Sequence, residues 1–254
     1  MKYICNSGRI LLGGKKMEKK NKIILIAIIV VAVLVLGGCV YSIINKENNV
    51  SEDAIKFREE YTKNNGEVIE SIGKSYVNVD VNDTNTIKYV TEEEAVELLK
   101  EDTGVIYFGF STCPWCRSLV STLTKVAEEE KETIYYLDVL DIRSKFEVKD
   151  NELNKIKDGT KGYYELLKLL DKELEDFYLT DEDGNKFDTK EKRLYAPTLV
   201  AFKEGEVTGF HVGTVDSQES GFDPLSDEQI EELEKIVKKV INSKENEVCT
   251  KDKC

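Results

Sequence analysis

The stretch Val105-Ile106-Tyr107-Phe108-Gly109-Phe110-Ser111-Thr112-Cys113-Pro114-Trp115-Cys116-Arg117 decides the fold. Its first half is a continuous apolar run, the pattern of a strand covered on both faces. Two cysteines separated by Pro114 and Trp115 follow, and beyond them Leu119, Leu123 and Val126 recur at helical spacing. Proline suits a first helical turn, where its missing N–H would have no partner. The pattern predicts a buried strand, a tight turn and a helix that opens at Cys113. Two cysteines so spaced can close a disulfide with little chain movement. The free N–H groups of the first turn and the helix dipole favour a thiolate at Cys113, and the thiolate is the attacking form. Cys116, one turn deeper, would resolve the mixed disulfide. Zinc sites and structural bridges use the same spacing. A zinc site needs four ligands, however, and a single His with a Cys249/Cys254 pair of unsuitable spacing makes a poor second half. No metal and no cofactor is expected.

Working outward, strand and helix signals alternate. Residues 87–90 read as a short strand, and Thr91-Glu92-Glu93-Glu94 as a capping-box helix start. Residues 134–139 form the next apolar run. Alternation of this kind predicts an α/β fold with helices on both faces of one sheet. Downstream, Tyr195-Ala196-Pro197-Thr198 places a proline at the head of the apolar run 199–202, where a strand tolerates it. Lys203-Glu204-Gly205-Glu206-Val207 then turns a hairpin whose return strand runs to Gly213, and residues 226–240 form a closing amphipathic helix.

Four features in this order resemble the thioredoxin family: Cys113-Pro-Trp-Cys116, the Ala-Pro-Thr turn before a strand, the Phe-Lys-x-Gly-Glu-Val hairpin, and the Val-Gly pair before the last helix. The resemblance spans residues 86–243 and implies a three-layer fold around a mixed sheet. It implies thiol–disulfide oxidoreductase activity, with Cys113, Cys116 and Pro197 at the reacting centre. Pro197 corresponds to the family's cis-proline, and Pro114, Trp115, Ala196 and Gly213 to its substrate groove. The family's buried acid, six residues before the first Cys, falls here on Tyr107, so the proton of Cys116 would go to water, to Tyr107 or to another, unidentified carboxylate. The Pro-Trp spacer is closer to glutaredoxin-like and oxidase-like relatives than to the Gly-Pro of reducing ones. The Gly109-Phe-Ser-x-Cys-Pro-Trp-Cys-Arg117 and Arg193-Leu-Tyr-Ala-Pro-Thr198 runs also resemble the bacteriocin transport accessory proteins. That likeness implies a role near exported disulfide-bonded peptides, as an enzyme or as a non-catalytic peptide-binding module.

The chain has 254 residues and a net charge of −13, unevenly spread. Residues 1–22 carry a net +6, residues 23–44 carry no charged side chain, and residues 45–254 carry 29 basic against 48 acidic side chains. So acidic a domain is a poor match for nucleic acid, which needs clustered Lys and Arg. As a helix, residues 23–44 would extend about 33 Å, enough to cross a bilayer core. The lysines before them put the N-terminus in the cytoplasm and the domain outside, tethered to the membrane. Leu36-Gly37-Gly38-Cys39 resembles a lipobox, so lipidation of Cys39 and an uncleaved anchor are the two readings of this segment. Met17 looks like a natural start, with residues 1–16, including Cys5, as a mis-called extension. Substrates would be exported proteins or peptides, with electrons exchanged with a membrane or extracellular redox partner.

Residues 45–85 read as a spacer, with a short helix capped by Ser51 and a strand-like alternation over 76–81. Residues 142–193 form an insertion containing a helix over 163–174 and the acidic turn Asp181-Glu-Asp-Gly184. That turn lacks the later ligands of a calcium loop and reads as solvated. His211, the single His, reads as a half-buried strand residue. Arg117 has two readings, a charge favouring the thiolate or an ordinary exposed helix residue. Cys249 and Cys254, in the tail 244–254, are expected to bridge each other outside the cell.

Overall fold

The computed structural model of the protein describes residues 50–244 and, before them, Ile28 alone. The expected anchor over 23–44 (apart from Ile28), Cys5, Cys39 and the Cys249/Cys254 pair lie outside the described residues. None of the described helices is long and apolar enough to cross a membrane.

Helix α1 (Glu52–Thr62) starts at Ser51, whose side chain accepts from the Ala54 N–H. Two short strands, β1 (Val68–Ile69) and β2 (Lys74–Ser75), pair as a small ribbon. Then come β3 (Ile87–Tyr89), α2 (Glu92–Glu101), β4 (Thr103–Gly109), α3 (Pro114–Glu130) and β5 (Ile134–Asp138). The capping box at Thr91 and Glu94 is formed as expected. Hairpin β6 (Lys145–Lys149)–β7 (Glu152–Lys157), helix α4 (Lys161–Leu169) and hairpin β8 (Asp176–Thr180)–β9 (Lys186–Lys192) make up the insertion. Strands β10 (Thr198–Lys203) and β11 (Glu206–Val212) and helix α5 (Asp227–Ser243) complete the described chain.

The central sheet has five strands in the order β11-β10-β4-β5-β3 and is mixed. Strand β4 is parallel to β5 and antiparallel to β10, and β3 is parallel to β5. The continuous apolar run of β4 is explained by two cores. Val105 and Tyr107 face one that holds Phe57, Tyr61, Leu119, Leu123 and Leu233, from α1, α3 and α5. Ile106 and Phe108 face the other, built by α2 and α4 with Leu99, Tyr163 and Leu166. Period-two alternation of side chains thus puts half of one strand into each core.

Residues 51–81 depart from the expected spacer. Phe57, Tyr61, Val79 and Val81 are buried in the first core. Residues 76–81 form no ladder with another strand. The Asn65 side chain takes the place of a neighbouring strand, accepting from Val79 N at 2.8 Å and donating to Val79 O at 2.9 Å. Arg117 departs from the reading as an exposed helix residue. It is 1% exposed and donates to the carbonyls of Tyr61 (2.7 Å), Val77 (2.9 Å) and Ser111 (3.2 Å) and to Asn65 Oδ1 (2.7 Å). It therefore ties the 61–77 segment to α3.

Candidate functional site

Strand β4 ends at Gly109, and a turn through Phe110–Thr112 delivers Cys113 to the N-cap of α3. Both thiols are free. Cys116 is wholly buried, while Cys113 keeps 5% of its surface. The Cys116 backbone N–H points at Cys113 Sγ over 3.3 Å. This is an N-cap interaction with sulfur in place of the usual oxygen acceptor. The Cys113 thiol donates to the Ala196 carbonyl at 3.4 Å, across a sequence separation of 83 residues.

That contact brings the two halves of the site together. The Ala196–Pro197 peptide is cis, and the Gly213 N–H donates to the Pro197 carbonyl at 2.9 Å. Gly213 has φ +83°, a conformation natural to glycine. Cys113, Cys116, Ala196, Pro197 and Gly213 thus converge on one end of the sheet, with Pro114 and Trp115 in the turn between the thiols. Trp115, Tyr195 and Val212 leave more than a third of their surface in solvent, giving the rim around Cys113 an apolar character. Behind the turn, Gly221 packs so closely that a Cβ there would lie 2.8 Å from the Trp115 N and 2.9 Å from the Pro114 carbonyl carbon. This glycine is needed for close approach, and the 214–225 loop backs the turn.

The two thiols differ in acidity. A hydrogen bond from the Cys116 thiol holds the Cys113 thiol below its ordinary value. Burial opposes this, and the Cys116 and Trp115 N–H groups and the Arg143 charge assist it. Cys116 is pushed well above the ordinary range, first by burial and then by its hydrogen bond to Cys113 and the charge there. The Phe110 backbone and the Tyr107 hydroxyl only partly offset this. Cys113, at the periphery, is thus the more acidic of the two thiols, and the internal Cys116 is the one that keeps its proton more firmly. Alkylation of Cys113 by iodoacetamide, followed from pH 4 to 10, is expected to rise with a midpoint below the ordinary thiol value of about 8.5. A midpoint at or above that value would contradict the thiolate assignment.

Arg143 carries no signal in the sequence, since it sits 30 residues from Cys113 in the insertion. It packs over the Phe110 ring, 4.9 Å from its centroid. His211 is half-buried in β11 and its Nε2 meets the Thr214 carbonyl at 2.8 Å, within its own turn. Asp181 accepts from the Asn185 backbone (2.8 Å) and side chain (2.9 Å), so its carboxylate closes a turn. Comparison with protein-family models and with curated proteins finds no match to this chain.

Proposed function

We propose that the chain is a thioredoxin-like thiol–disulfide oxidoreductase, with Cys113 as nucleophile and Cys116 as resolving thiol. The observation that carries this reading is the unequal pair at the head of α3. One thiol is lowered in pKa and set against the Ala196 carbonyl before cis Pro197. The other is buried one turn below. A structural bridge has no use for such inequality, whereas exchange needs a thiolate that attacks and a thiol that waits. The mixed five-stranded sheet with helices on both faces is compatible with the three-layer thioredoxin architecture.

In this reading a substrate disulfide approaches the rim of Trp115, Tyr195 and Val212. Cys113 Sγ attacks one sulfur, the S–S bond of the substrate breaks, and one substrate thiolate leaves. Cys116 Sγ then attacks Cys113 Sγ. The second substrate thiolate leaves, and the Cys113–Cys116 disulfide carries the two electrons' worth of oxidation. Run in reverse, the same steps oxidise a dithiol. The charge division between residues 1–22 and 45–254 and the apolar run 23–44 support placing this chemistry outside the cytoplasmic membrane, on exported proteins or peptides.

The test is the reduction potential of the Cys113–Cys116 pair, measured by equilibration in glutathione buffers with Cys249 and Cys254 replaced by serine. A value near about −270 mV assigns a reductase, and one above about −200 mV an oxidase or isomerase. A pair that resists reduction until the domain unfolds sinks the enzymatic reading and leaves a peptide-binding accessory module.

A further inference from the structure

If the protein is an oxidoreductase of this kind, on which the present inference rests, its internal thiol needs a proton acceptor. Cys116 has no solvent-exposed surface, yet it must lose a proton when it attacks. No carboxylate stands at position 107. The Tyr107 hydroxyl lies against the Cys116 thiol instead, and it is hydrogen-bonded to the Tyr61 hydroxyl at 2.8 Å. Beyond Tyr61 comes Tyr136. The two rings meet edge to face with centroids 6.2 Å apart, and their hydroxyls act on one another. Tyr136 donates to Glu60 Oε1 at 3.2 Å, and Tyr89 donates to Glu60 Oε2 at 2.6 Å. Glu60 itself is half-buried on α1 and reaches solvent. Phe57 packs against Tyr61, Tyr89, Tyr107 and Tyr136 and excludes water from the path.

We propose that Tyr107, Tyr61 and Tyr136 form a proton relay from the Cys116 thiol to the carboxylate of Glu60. The Cys116 S–H bond breaks as its sulfur closes on Cys113. Tyr107 takes that proton and passes its own to Tyr61. Tyr61 passes one to Tyr136, and Tyr136 one to Glu60, which ends protonated. The electron pair of the S–H bond becomes the new Cys113–Cys116 bond, and the departing substrate sulfur carries its pair away. Each tyrosine ends neutral. That suits their burial, which raises the pKa of all three and forbids a standing tyrosinate. Two links, Tyr107–Tyr61 and Tyr136–Glu60, are direct hydrogen bonds. The other two, Cys116–Tyr107 and Tyr61–Tyr136, are side-chain interactions between neighbouring groups.

Three elements meet here, and the charged and titratable groups they turn to the path are few. Helix α1 brings Asp53, Glu60 and Tyr61. Lys56, also on α1, lies over the Tyr89 ring. The sheet brings Tyr89, Tyr107, Tyr136 and Asp138, and helix α3 brings the two thiols and Arg117, which is bound to the Tyr61 carbonyl. Asp53 is occupied by the Tyr89 backbone N–H at 3.1 Å, and Asp138 by that of Leu140 at 2.7 Å. Glu60 is therefore the carboxylate to which the hydroxyls lead. Sequence reading offered no such acceptor, because Glu60 lies 56 residues from Cys116 in the segment read as spacer.

The experiment uses the full chain in detergent, with Cys5, Cys39, Cys249 and Cys254 replaced by serine. It is reduced and mixed with an aromatic disulfide, 5,5′-dithiobis(2-nitrobenzoate), in a stopped-flow instrument. Cys113 attack releases the first chromophore, and Cys116 resolution releases the second. Glu60→Gln keeps an acceptor oxygen for one of Tyr89 and Tyr136, turns an NH2 to the other, and removes the base. It is expected to leave the first phase within about twofold and to slow the second by about tenfold or more, less than the roughly 10²–10⁴-fold of a base in direct contact with the reacting proton. The second phase of this variant should then rise steeply with pH, as hydroxide replaces the relay, and Glu60→Asp should restore most of the rate. Tyr107→Phe should slow the second phase alike. An unchanged second phase in Glu60→Gln from pH 6 to 9 would overturn the relay, and so would equal slowing of both phases. A parent protein with no first phase would instead overturn the oxidoreductase reading.

Discussion

Full-length protein carrying Cys113→Ser is expected to lose disulfide exchange by a factor of about 10³ or more, the usual loss on removing the nucleophile from a covalent mechanism. A serine hydroxyl at the N-cap accepts the Cys116 N–H as the sulfur does, so α3 keeps its cap and the fold should survive. At neutral pH that hydroxyl is not ionised and cannot form a mixed disulfide. Cys116 cannot substitute for it, being wholly buried and protonated. Cys116→Ser should behave differently. Attack by Cys113 continues but resolution stops, so the substrate remains covalently attached and is seen as a mass increase that dithiothreitol removes. Catalysis of insulin reduction by dithiothreitol measures the first effect, and intact-protein mass spectrometry the second. Exchange activity in Cys113→Ser close to that of the parent would remove Cys113 from the mechanism.

Arg117→Met is expected to destabilise the domain by about 3–5 kcal/mol, the range of a broken buried polar network. The methionine fills much of the space but donates nothing. The carbonyls of Tyr61, Val77 and Ser111 and the Asn65 amide oxygen would then lose a charged donor inside the protein. The partners of Arg117 are neutral oxygens, so the loss comes from unsatisfied acceptors and a loosened 61–77 segment. Urea unfolding at neutral pH gives the number directly. A change under about 1 kcal/mol would mean that water or rearranged backbone satisfies those acceptors. Arg117 also fixes the Ser111 carbonyl, two residues before Cys113. The variant should therefore slow Cys113 alkylation even where it remains folded.

How much of the fold and the site is legible in the sequence depends on how local the determining contacts are. The apolar run of β4, the helix starts at Thr91 and Cys113, and the placing of Pro197 at the head of β10 rest on neighbours in sequence. All emerge at the expected positions. The spacer reading of 45–85 fails because Phe57 and Tyr61 stand among charged residues in a helix of 11 residues. Their burial depends on β4 and β5, some 45 to 80 residues away. Val79 alternates like a strand residue, but its partner is the Asn65 side chain, which no periodicity announces. The hairpin β6–β7 does carry a local signal. Phe146 and Val148 alternate with charges, and Asp150-Asn151 supplies the two positive-φ residues (52° and 62°) of a tight hairpin turn. For the candidate site, the two thiols and Pro197 are readable from motif. Arg143, the inward turn of Arg117 and the line of tyrosines behind Cys116 are products of the tertiary fold.

The division of β4 between two cores bears on how such a protein can change over time. Cys116 and its tyrosines belong to the core of α1, α3 and α5. The insertion is rooted in the other, through Tyr163, Leu166 and Leu170 of α4 and its flank. Among the described residues, only the partly buried Phe110 and Ala196 pack against both, with Arg143 acting on Cys113 by charge. Substitutions at sites that share no partners are close to additive. Mutations in the 142–193 region can therefore accumulate with little epistasis toward the thiols, except through those three residues. Selection is free to remodel that decoration while the Cys113–Cys116 pair and its surroundings stay under their own, separate constraint.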